Sequence, residues 1–250
     1  MNIYVLLKRT FDTEEKISLS DGAVNEDGAK FIAVEEAIVT RDAHGGEVTV
    51  ITVGNDEAET EIRTALAMGA DKAVLINVED DVDVRDQYTT AKVIAEYLKD
   101  KNADLIFAGN SAVDNSTSQV GHRVADLLGI PCVTSAIKFE LEGTTATITR
   151  DIEGDSEVVS AELPMLVAAT QGLNEPRYPS LPGIMKAKKK PLEELELDDL
   201  DLEEDDVEGK TKTVEVFLPA EKTAGKVLSG EIADQVKELI DLLHNEAKVI

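Results

Sequence analysis

Several residue types that support common functions are scarce or absent in this chain. It has no tryptophan, and aromatic residues make up 4% of its 250 residues, which argues against a platform for stacked nucleic-acid bases. Cys132 is the single cysteine, so an intrachain disulfide and a Cys/His zinc cluster are both excluded. A reducing compartment such as the cytoplasm fits this cysteine content.

Long apolar runs and positive charge are also in short supply. No apolar run approaches the ~20 residues that cross a bilayer, and Lys8-Arg9 follows the first apolar run, the wrong order for a secretion signal. Lys and Arg number 25 against 51 Asp and Glu, a net charge of −26. This charge repels phosphate backbones and anionic lipid, so we expect neither nucleic-acid binding nor membrane insertion.

Short apolar segments alternate with amphipathic segments in the first half of the chain. Buried strands are predicted at residues 3–7, 48–54, 72–76 and 105–109, and helices at 33–40, 57–68, 88–99 and 120–128. Such alternation is typical of a doubly wound α/β fold with a mostly parallel sheet. From about Phe139 alternating residues flank Glu142-Gly143. This pattern predicts a hairpin and an antiparallel extension of the sheet.

The composition changes beyond Gly183. Residues 186–190 are basic, and residues 193–208 then hold eleven acidic residues and no basic one. A strand is predicted at 214–218 and an amphipathic helix at 230–245. We therefore predict that residues 186–250 form a mostly non-globular arm that makes few contacts with the first 150 residues and lies on a partner.

The predicted strand 105–109 ends in a polar loop, Gly109 to Gly121, that opens the next helix. Ligands of open α/β sheets bind outside the carboxyl ends of strands, and hydroxyls and free N–H groups at a helix N-terminus suit a phosphate. An ordinary strand-to-helix turn with an Asn or Ser cap explains the same residues. The glycine patterns of dinucleotide-binding and P-loop sites are absent from the sequence.

Residues 173–186 contain three closely spaced prolines, which predict a stiff, extended excursion. Leu181, Ile184 and Met185 form an apolar set beside the lysines at 186–190. Exposed apolar residues rimmed by charge indicate a docking site. A crossover that packs on its own domain explains the pattern equally well.

Residues for covalent or acid–base catalysis cannot be singled out. His44, His122 and His244 are scattered along the chain, and Cys132 lies in an apolar, strand-like context. We expect no catalytic residue and no metal ion, and hence no enzyme with a reaction of its own.

Three stretches resemble the β-subunit family of electron transfer flavoproteins. Residues 173–190 resemble its partner-recognition loop and lysine tail, and residues 61–71 resemble its second helix and turn. Residues 148–168 match the family pattern at Arg150, Glu153, Gly154, Asp155, Glu157 and Pro164. With Lys8-Arg9 and the 109–121 loop, the resemblance covers nearly the whole chain.

The resemblance implies a heterodimer whose α subunit holds most of the redox-active FAD. The β subunit would have a nucleotide-α-hydrolase-like domain at 1–185, with a structural AMP and the recognition loop at 173–185. Residues 186–250 would be an arm that wraps the α subunit. Electrons would pass from acyl-CoA-type dehydrogenases of fatty acid β-oxidation to a membrane quinone oxidoreductase, and the cytoplasm is the expected location.

The resemblance also assigns individual site residues. The AMP site would comprise Leu6, Val53, Gly109, Asn110, Ser111, Ala112, Val113, Asp114, Asn115, Ser116, Thr117, Ser118, Gln119 and Val120. The partner-binding residues would be Leu181, Ile184, Met185, Lys186, Lys189 and Asp151. Leu6 and Val53 are apolar and would contact AMP by packing or backbone. Leu181 would insert into partner dehydrogenases, and Asp151, shorter than the usual Glu, would pair with an arginine of the mobile flavin domain.

One departure from the family pattern affects this site. The family has an Asn-Pro-aromatic stretch before the Ala-Val-Glu-Glu helix, and this stretch contacts AMP and approaches the flavin. In this chain Phe31-Ile32 adjoins Ala33 directly, so about seven residues of the family pattern are missing. Either these contacts are lost, or the protein has a segment here that the sequence passes over. We favour the second explanation. A separation between the Cα atoms of Ile32 and Ala33 well above ~3.8 Å would support the passed-over segment.

Three alternatives to an AMP-binding subunit stay open. In a bifurcating electron transfer flavoprotein a second FAD would replace AMP at the same loop. A stand-alone nucleotide-binding module of the stress-protein kind would share the α/β core but would need neither the recognition loop nor the arm. A scaffold without ligand would need no nucleotide site.

Overall fold

The chain forms two compact units, residues Met1–Val216 and Phe217–Ile250. The computed structural model describes residues 1–10, 31–78, 86–215, 217–218 and 224–250, together with the backbone of two short strands at 19–20 and 23–24. The two units are described separately below.

The secondary structure follows the predicted order up to residue 180, and four elements that were not predicted lie beyond it. The strands are β1 Asn2–Leu6, β2 Leu19–Ser20, β3 Ala23–Val24, β4 Glu47–Gly54, β5 Lys72–Asn77, β6 Leu105–Gly109, β7 Cys132–Glu142, β8 Thr145–Ile152, β9 Asp155–Glu162, β10 Met165–Ala169 and β11 Leu192–Leu195. The helices are α1 Ile32–His44, α2 Glu59–Met68, α3 Gln87–Leu98, α4 Val120–Leu128, α5 Leu181–Ala187 and α6 Ile232–Asp241. The additions are α5, β11 and the 3₁₀ turns Leu197–Leu200 and Glu204–Val207.

One nine-stranded sheet in the order β11-β5-β4-β1-β6-β10-β7-β8-β9 organises the first unit. Neighbouring strands are parallel from β11 to β7, and β8 and β9 continue the sheet as antiparallel strands. The predicted doubly wound, mostly parallel α/β fold with an antiparallel extension is confirmed. The chain moves outward from β1 in both directions, so the strand order reverses at β1 and β6.

Two hydrophobic clusters cover the two faces of this sheet. Ile3 and Val5 of β1 belong to one cluster with residues of α1 and α2, whereas Tyr4 between them belongs to the other with residues of α3 and α4. Successive strand residues face opposite sides of a sheet. The uninterrupted apolar run of β1 is therefore needed because both faces are buried.

The acidic segment beyond residue 190 is folded onto the body, which contradicts the prediction that this part of the arm makes few contacts with the first 150 residues. β11 pairs in parallel with β5 at the sheet edge. Leu202 and Val207 are buried in the cluster that contains α3. Asp86 accepts hydrogen bonds from the backbone N–H groups of Lys210 and Thr211. The apolar residues spaced between the carboxylates explain this packing, because each can bury its side chain while the carboxylates stay in water.

Two further predictions concern the region before α1. Asp21-Gly22 and Asp27-Gly28 predict a hairpin or a loop excursion within residues 12–30. Strands β2 and β3 pair on either side of residues 21–22, and residues 11–18, 21–22 and 25–30 lie outside the described residues. The backbone N–H of Glu35 donates to the carbonyl oxygen of Phe31 at 2.9 Å, and α1 is continuous across Ile32 and Ala33. The favoured explanation, a segment passed over in the sequence, stays a prediction, because a chain of these 250 residues joins Ile32 to Ala33 in either case.

The second unit contains α6, followed by one π-type turn at Leu242–Glu246. Ile232, Val236, Leu239 and Ile240 recur at helical spacing and are all exposed. The predicted strand at 214–218 is wrong, since its described residues adopt no regular structure. The predicted packing of α6 on an α subunit stays a prediction.

Replacing Val207 by Ala tests whether the acidic segment contributes to stability. Val207 is 0% exposed, and removing its two methyl groups should lower the free energy of unfolding by about 1–2 kcal/mol. Val214→Ala is the matched control, because Val214 is 95% exposed. Denaturant unfolding measures both variants, and equal effects would contradict the packing described here.

Candidate functional site

The carboxyl ends of β1, β4 and β6 lie side by side at the point where the strand order reverses. Leu6 of β1 is in register with Ile51 of β4 on one side and with Ala108 of β6 on the other. Val53 lies two residues further along β4 than Ile51, and Gly109 ends β6. The structure thus brings these predicted site residues to one crevice, where open α/β sheets bind their ligands.

The loop from Asn110 to Gln119 crosses this end of the sheet and remains accessible to solvent. Its backbone has two left-handed residues, Ser116 with φ 52° and Ser118 with φ 53°, a conformation that is uncommon outside glycine. Gln119 follows in the right-handed helical region. Adjacent residues of opposite hand form the backbone nests that bind anions through N–H groups.

The N-terminus of α4 directly follows this loop and has no side-chain cap. Gln119 occupies the cap position, but its side-chain oxygen accepts from the Nε and Nη2 atoms of Arg123 at 3.1 and 2.8 Å. The first N–H groups of a helix otherwise have no intrahelical partner, and the helix dipole places partial positive charge there. This end of α4 is suited to an anionic group.

Lys8 is a site residue that the sequence did not single out. Its Nζ atom donates to Oδ2 of Asp114, so it links the end of β1 to the loop after β6. The other carboxylate oxygen, Oδ1 of Asp114, is buried and has no hydrogen-bond partner among the described residues. Arg9 donates to Glu57 at 2.6 Å and so joins the end of β1 to the segment after β4. The sequence offered one signal for these contacts: a lysine and an arginine, Lys8 and Arg9, follow closely after the central strand β1.

Asp151 lies outside the crevice, on the exposed end of β8. It lines a shallow cleft with Ser135, Arg150, Ile152 and Glu153. The backbone N–H of Ser135 donates to the side-chain oxygen of Asn110 at 3.0 Å, so the cleft adjoins the candidate nucleotide loop. Arg150 is fixed by Thr134 and Glu157 at 3.0 and 3.3 Å.

Residues 174–190, here called the docking segment, contain the short helix α5 instead of the extended excursion predicted. Ser180 caps its N-terminus by accepting from the N–H of Gly183 at 3.2 Å, and Pro182 lies in the first turn, where proline is tolerated in a helix. Leu181 and Met185 are 80% and 74% exposed, and Ile184 is also exposed. The segment packs on its own domain, as the crossover interpretation predicts, and still presents apolar side chains. Its role as a docking site stays a prediction.

The C-terminal end of the docking segment is bonded to α2. The Nζ atom of Lys190 donates to the carbonyl oxygens of Leu66 and Ala70 at 2.9 and 2.6 Å, and its burial lowers the pKa of its ammonium group. Arg63 donates to the carbonyl oxygens of Ala187 and Lys190 at 3.1 and 3.2 Å. Lys190 is therefore a structural residue, which contradicts its expected role beside the other lysines. Lys186 and Lys189 are exposed.

The N-terminal end of the docking segment is bonded to α1. Arg177 forms an ion pair with Glu35, with 2.8 Å between Nη2 and Oε1, and the hydrogen bond that Arg177 donates to Glu35 raises the pKa of the guanidinium. Asn174 donates to Oε2 of Glu36 at 2.8 Å. Burial raises the pKa of the Glu36 carboxyl group, and the hydrogen bond from Asn174 opposes this rise in pKa.

Two kinds of site are not found within the described ranges of the chain. No helix there is long and apolar enough to cross a membrane. No group of three or more His, Cys, Asp or Glu residues is arranged there to hold a metal ion. Cys132 begins β7 and is half-buried, and burial raises the pKa of its thiol despite the nearby Arg150.

Residues 22–200 match the family described as "Electron transfer flavoprotein domain". The full chain is 60% identical to the full-length "Electron transfer flavoprotein subunit beta" of Bacillus subtilis (strain 168). The chain belongs to the β-subunit family of electron transfer flavoproteins. Members of this family are subunits of electron carriers.

More distant relatives carry the same description. The full chain is 37% identical to 98% of the β subunit from Syntrophomonas wolfei and 36% identical to all of the mitochondrial β subunit from Oryza sativa subsp. indica. The alignment with the Bacillus protein spans 257 residues, seven more than the 250 of this chain.

A Cβ atom at Gly183 would disturb the contact between α5 and α2. It would lie 2.5 Å from the backbone oxygen of Ala67, so Gly183→Ala should push the two helices apart and reduce stability by about 1–3 kcal/mol. Gly225→Ala is the control, because no described atom lies within 4 Å of a Cβ there. Thermal unfolding compares the two variants, and an unchanged midpoint for Gly183→Ala would refute the close contact.

Proposed function

We propose that the chain forms a heterodimer with an α subunit that holds most of a redox-active FAD, and that it binds a structural AMP itself. The observation that carries the AMP site is the position of the 109–120 loop at the strand-order reversal, directly before an uncapped helix N-terminus. AMP has no accessible redox chemistry, so its role is to fill and order the crevice. The chain takes part in electron transfer and has no catalytic residue of its own.

The residues present fit a nucleoside monophosphate. The N–H groups around Ser118 and at the start of α4 suit the phosphate, and Lys8 contacts the same loop at Asp114. The buried, unpartnered Oδ1 of Asp114 suits a hydroxyl or amino donor of the nucleoside. Leu6 and Val53 supply half-buried apolar contacts at the floor of the crevice. Because the stretch before α1 is missing, these residues would supply a larger share of the contacts than in other family members.

The docking segment is proposed to bind electron-donating dehydrogenases of the acyl-CoA type. Leu181, Ile184 and Met185 are exposed apolar side chains on one short helix, and such anchors supply most of the binding energy in protein interfaces. Lys186, Lys188 and Lys189 are exposed beside them in a chain of net charge −26. This local positive charge would speed encounters with acidic partners in a salt-dependent way.

The remaining partner contacts are also proposals. The second unit, through the exposed face of α6, is assigned to the α subunit as part of the arm predicted at 186–250. Asp151 is assigned to an arginine of the mobile flavin domain, and its exposed position on β8 suits this contact. A membrane quinone oxidoreductase is the proposed acceptor, fatty acid β-oxidation the proposed source of electrons, and the cytoplasm the proposed location.

The nucleotide released from the purified heterodimer tests the AMP site. We expect one AMP and one FAD per heterodimer by chromatography after denaturation. Two FAD and no AMP would replace the proposal by the bifurcating alternative, and FAD alone would refute a nucleotide in this subunit.

Lys8→Gln should weaken AMP retention about tenfold, since one charge-assisted contact near a phosphate is removed while Asp114 keeps its negative charge. Lys72→Gln is the matched control, because Lys72 pairs with Glu47 at the opposite ends of the strands. Equilibrium dialysis of the two variants gives the comparison, and equal AMP retention would argue against a phosphate near Lys8.

Leu181→Ala should raise the apparent KM for electron transfer from a cognate dehydrogenase about tenfold to a hundredfold, because an apolar pocket gains about 1.5–3 kcal/mol from a buried leucine. Heterodimer assembly and AMP content should not change. Leu127→Ala on α4 is the control, as another exposed leucine in a different part of the fold. An unchanged KM for Leu181→Ala would rule out the docking role.

A further inference from the structure

Glu35 contacts the docking segment but lies away from the candidate nucleotide loop and from the exposed apolar side chains. It is in the first turn of α1 and 6% exposed. Its two carboxylate oxygens accept from Arg177: Nε donates to Oε2 at 2.8 Å, Nη2 to Oε1 at 2.8 Å, and the backbone N–H to Oε2 at 3.1 Å. A single carboxylate therefore fixes both the side chain and the main chain of Arg177.

This geometry makes the contact directional. Two parallel hydrogen bonds between a guanidinium and a carboxylate fix the plane of both groups, which a lysine could not do. The side chain of Glu35 is 8% exposed and that of Arg177 is 40% exposed. If the segment lifted off, the two guanidinium bonds and the backbone N–H bond to Glu35 would be lost together. These bonds thus oppose release of the segment.

A neighbouring contact supports the same position. Asn174 donates through Nδ2 to the carbonyl oxygen of Ile32 at 3.1 Å and to Oε2 of Glu36 at 2.8 Å. The first turn of α1 therefore binds the docking segment at two residues, Asn174 and Arg177, with Pro176 between them. Proline fixes its own φ angle, so little freedom is left in this part of the chain.

The fixed main chain of Arg177 restricts the path to Leu181. Three residues separate them, one of which is Pro179, and Ser180 then caps α5. At the other end Lys190 and Arg63 fix the segment to α2. The exposed side chains of Leu181 and Met185 are thus held on a short stretch that is bonded to the body on both sides.

We propose that Glu35 is a positioning residue of the docking surface: through Arg177 it holds the segment in the conformation that presents Leu181 and Met185 to a partner protein. The inference rests on the proposed docking function. An ordered segment loses less conformational entropy on binding than a loose one. Neutralising Glu35 should therefore weaken docking even though Glu35 itself does not touch the partner.

The variant Glu35→Gln, in the heterodimer with the α subunit, tests this role. We expect amide hydrogen exchange at residues 175–185 to become about tenfold faster, since a charge-assisted contact is replaced by a neutral one. The KM for a cognate dehydrogenase should rise about three- to tenfold, while kcat and the visible flavin spectrum stay unchanged. Glu47→Gln is the matched control, because it also removes one carboxylate from an ion pair, with Lys72, far from the segment.

Arg177→Lys provides a second variant that keeps the charge and leaves Glu35 in place. It should show the same faster exchange and higher KM, and the double variant should be no worse than the more affected single variant. Unchanged exchange in both variants would overturn the proposed role of Glu35. Faster exchange with an unchanged KM would also overturn it, provided that Leu181→Ala raises KM. If Leu181→Ala has no effect, the docking function itself fails, whatever the exchange of residues 175–185.

Discussion

The pairing of β1 between β4 and β6 is the constraint on which the rest of the first unit depends. β1 is paired on both edges and buried on both faces, so its central side chains must be largely apolar. Ile3, Tyr4 and Val5 satisfy this requirement. Because the chain leaves β1 in one direction and returns to its other side at β6, a crevice opens between the loops that follow them. The position of the candidate nucleotide site is a consequence of strand order, and the polar loop residues only decide what the crevice can bind.

Charge and burial have separate roles in this strongly acidic chain. The acidic segment folds onto α3 and β5 because its leucine and valine side chains enter the cluster on that face of the sheet. Its carboxylates remain at the surface, where water screens their repulsion. Two of the buried carboxylates have specific partners: Glu35 binds Arg177, and Asp86 binds backbone N–H groups of the acidic segment. In both places a buried acid fixes a segment that is distant in sequence.

The docking segment combines two properties that usually conflict. Exposed leucine and methionine side chains favour burial, and a free loop could fold back to cover them. Here the ion pair between Arg177 and Glu35 of α1 holds one end of the backbone in place. The hydrogen bond from Lys190 to the C-terminal end of α2 holds the other end, so Leu181 and Met185 stay exposed. This arrangement is expected of a surface that would bind successive partners transiently.

The sequence alone determined the α/β class, the succession of strands and helices along the chain up to β6 and the loop that ends β6, because buried parallel strands and amphipathic helices have distinct periodicities. A resemblance carried by residues 148–168 and 173–190 identified the family, which the comparisons confirm. Sequence analysis did not predict α5 and β11, because their apolar patterns are short and lie among prolines and clustered acidic residues.

The tertiary structure decided which charged side chains form pairs. The pairs Lys8 with Asp114 and Glu35 with Arg177 join residues 106 and 142 positions apart. Local patterns contain no information about such pairs, because only the folding of the sheet and its helices brings the partners within reach.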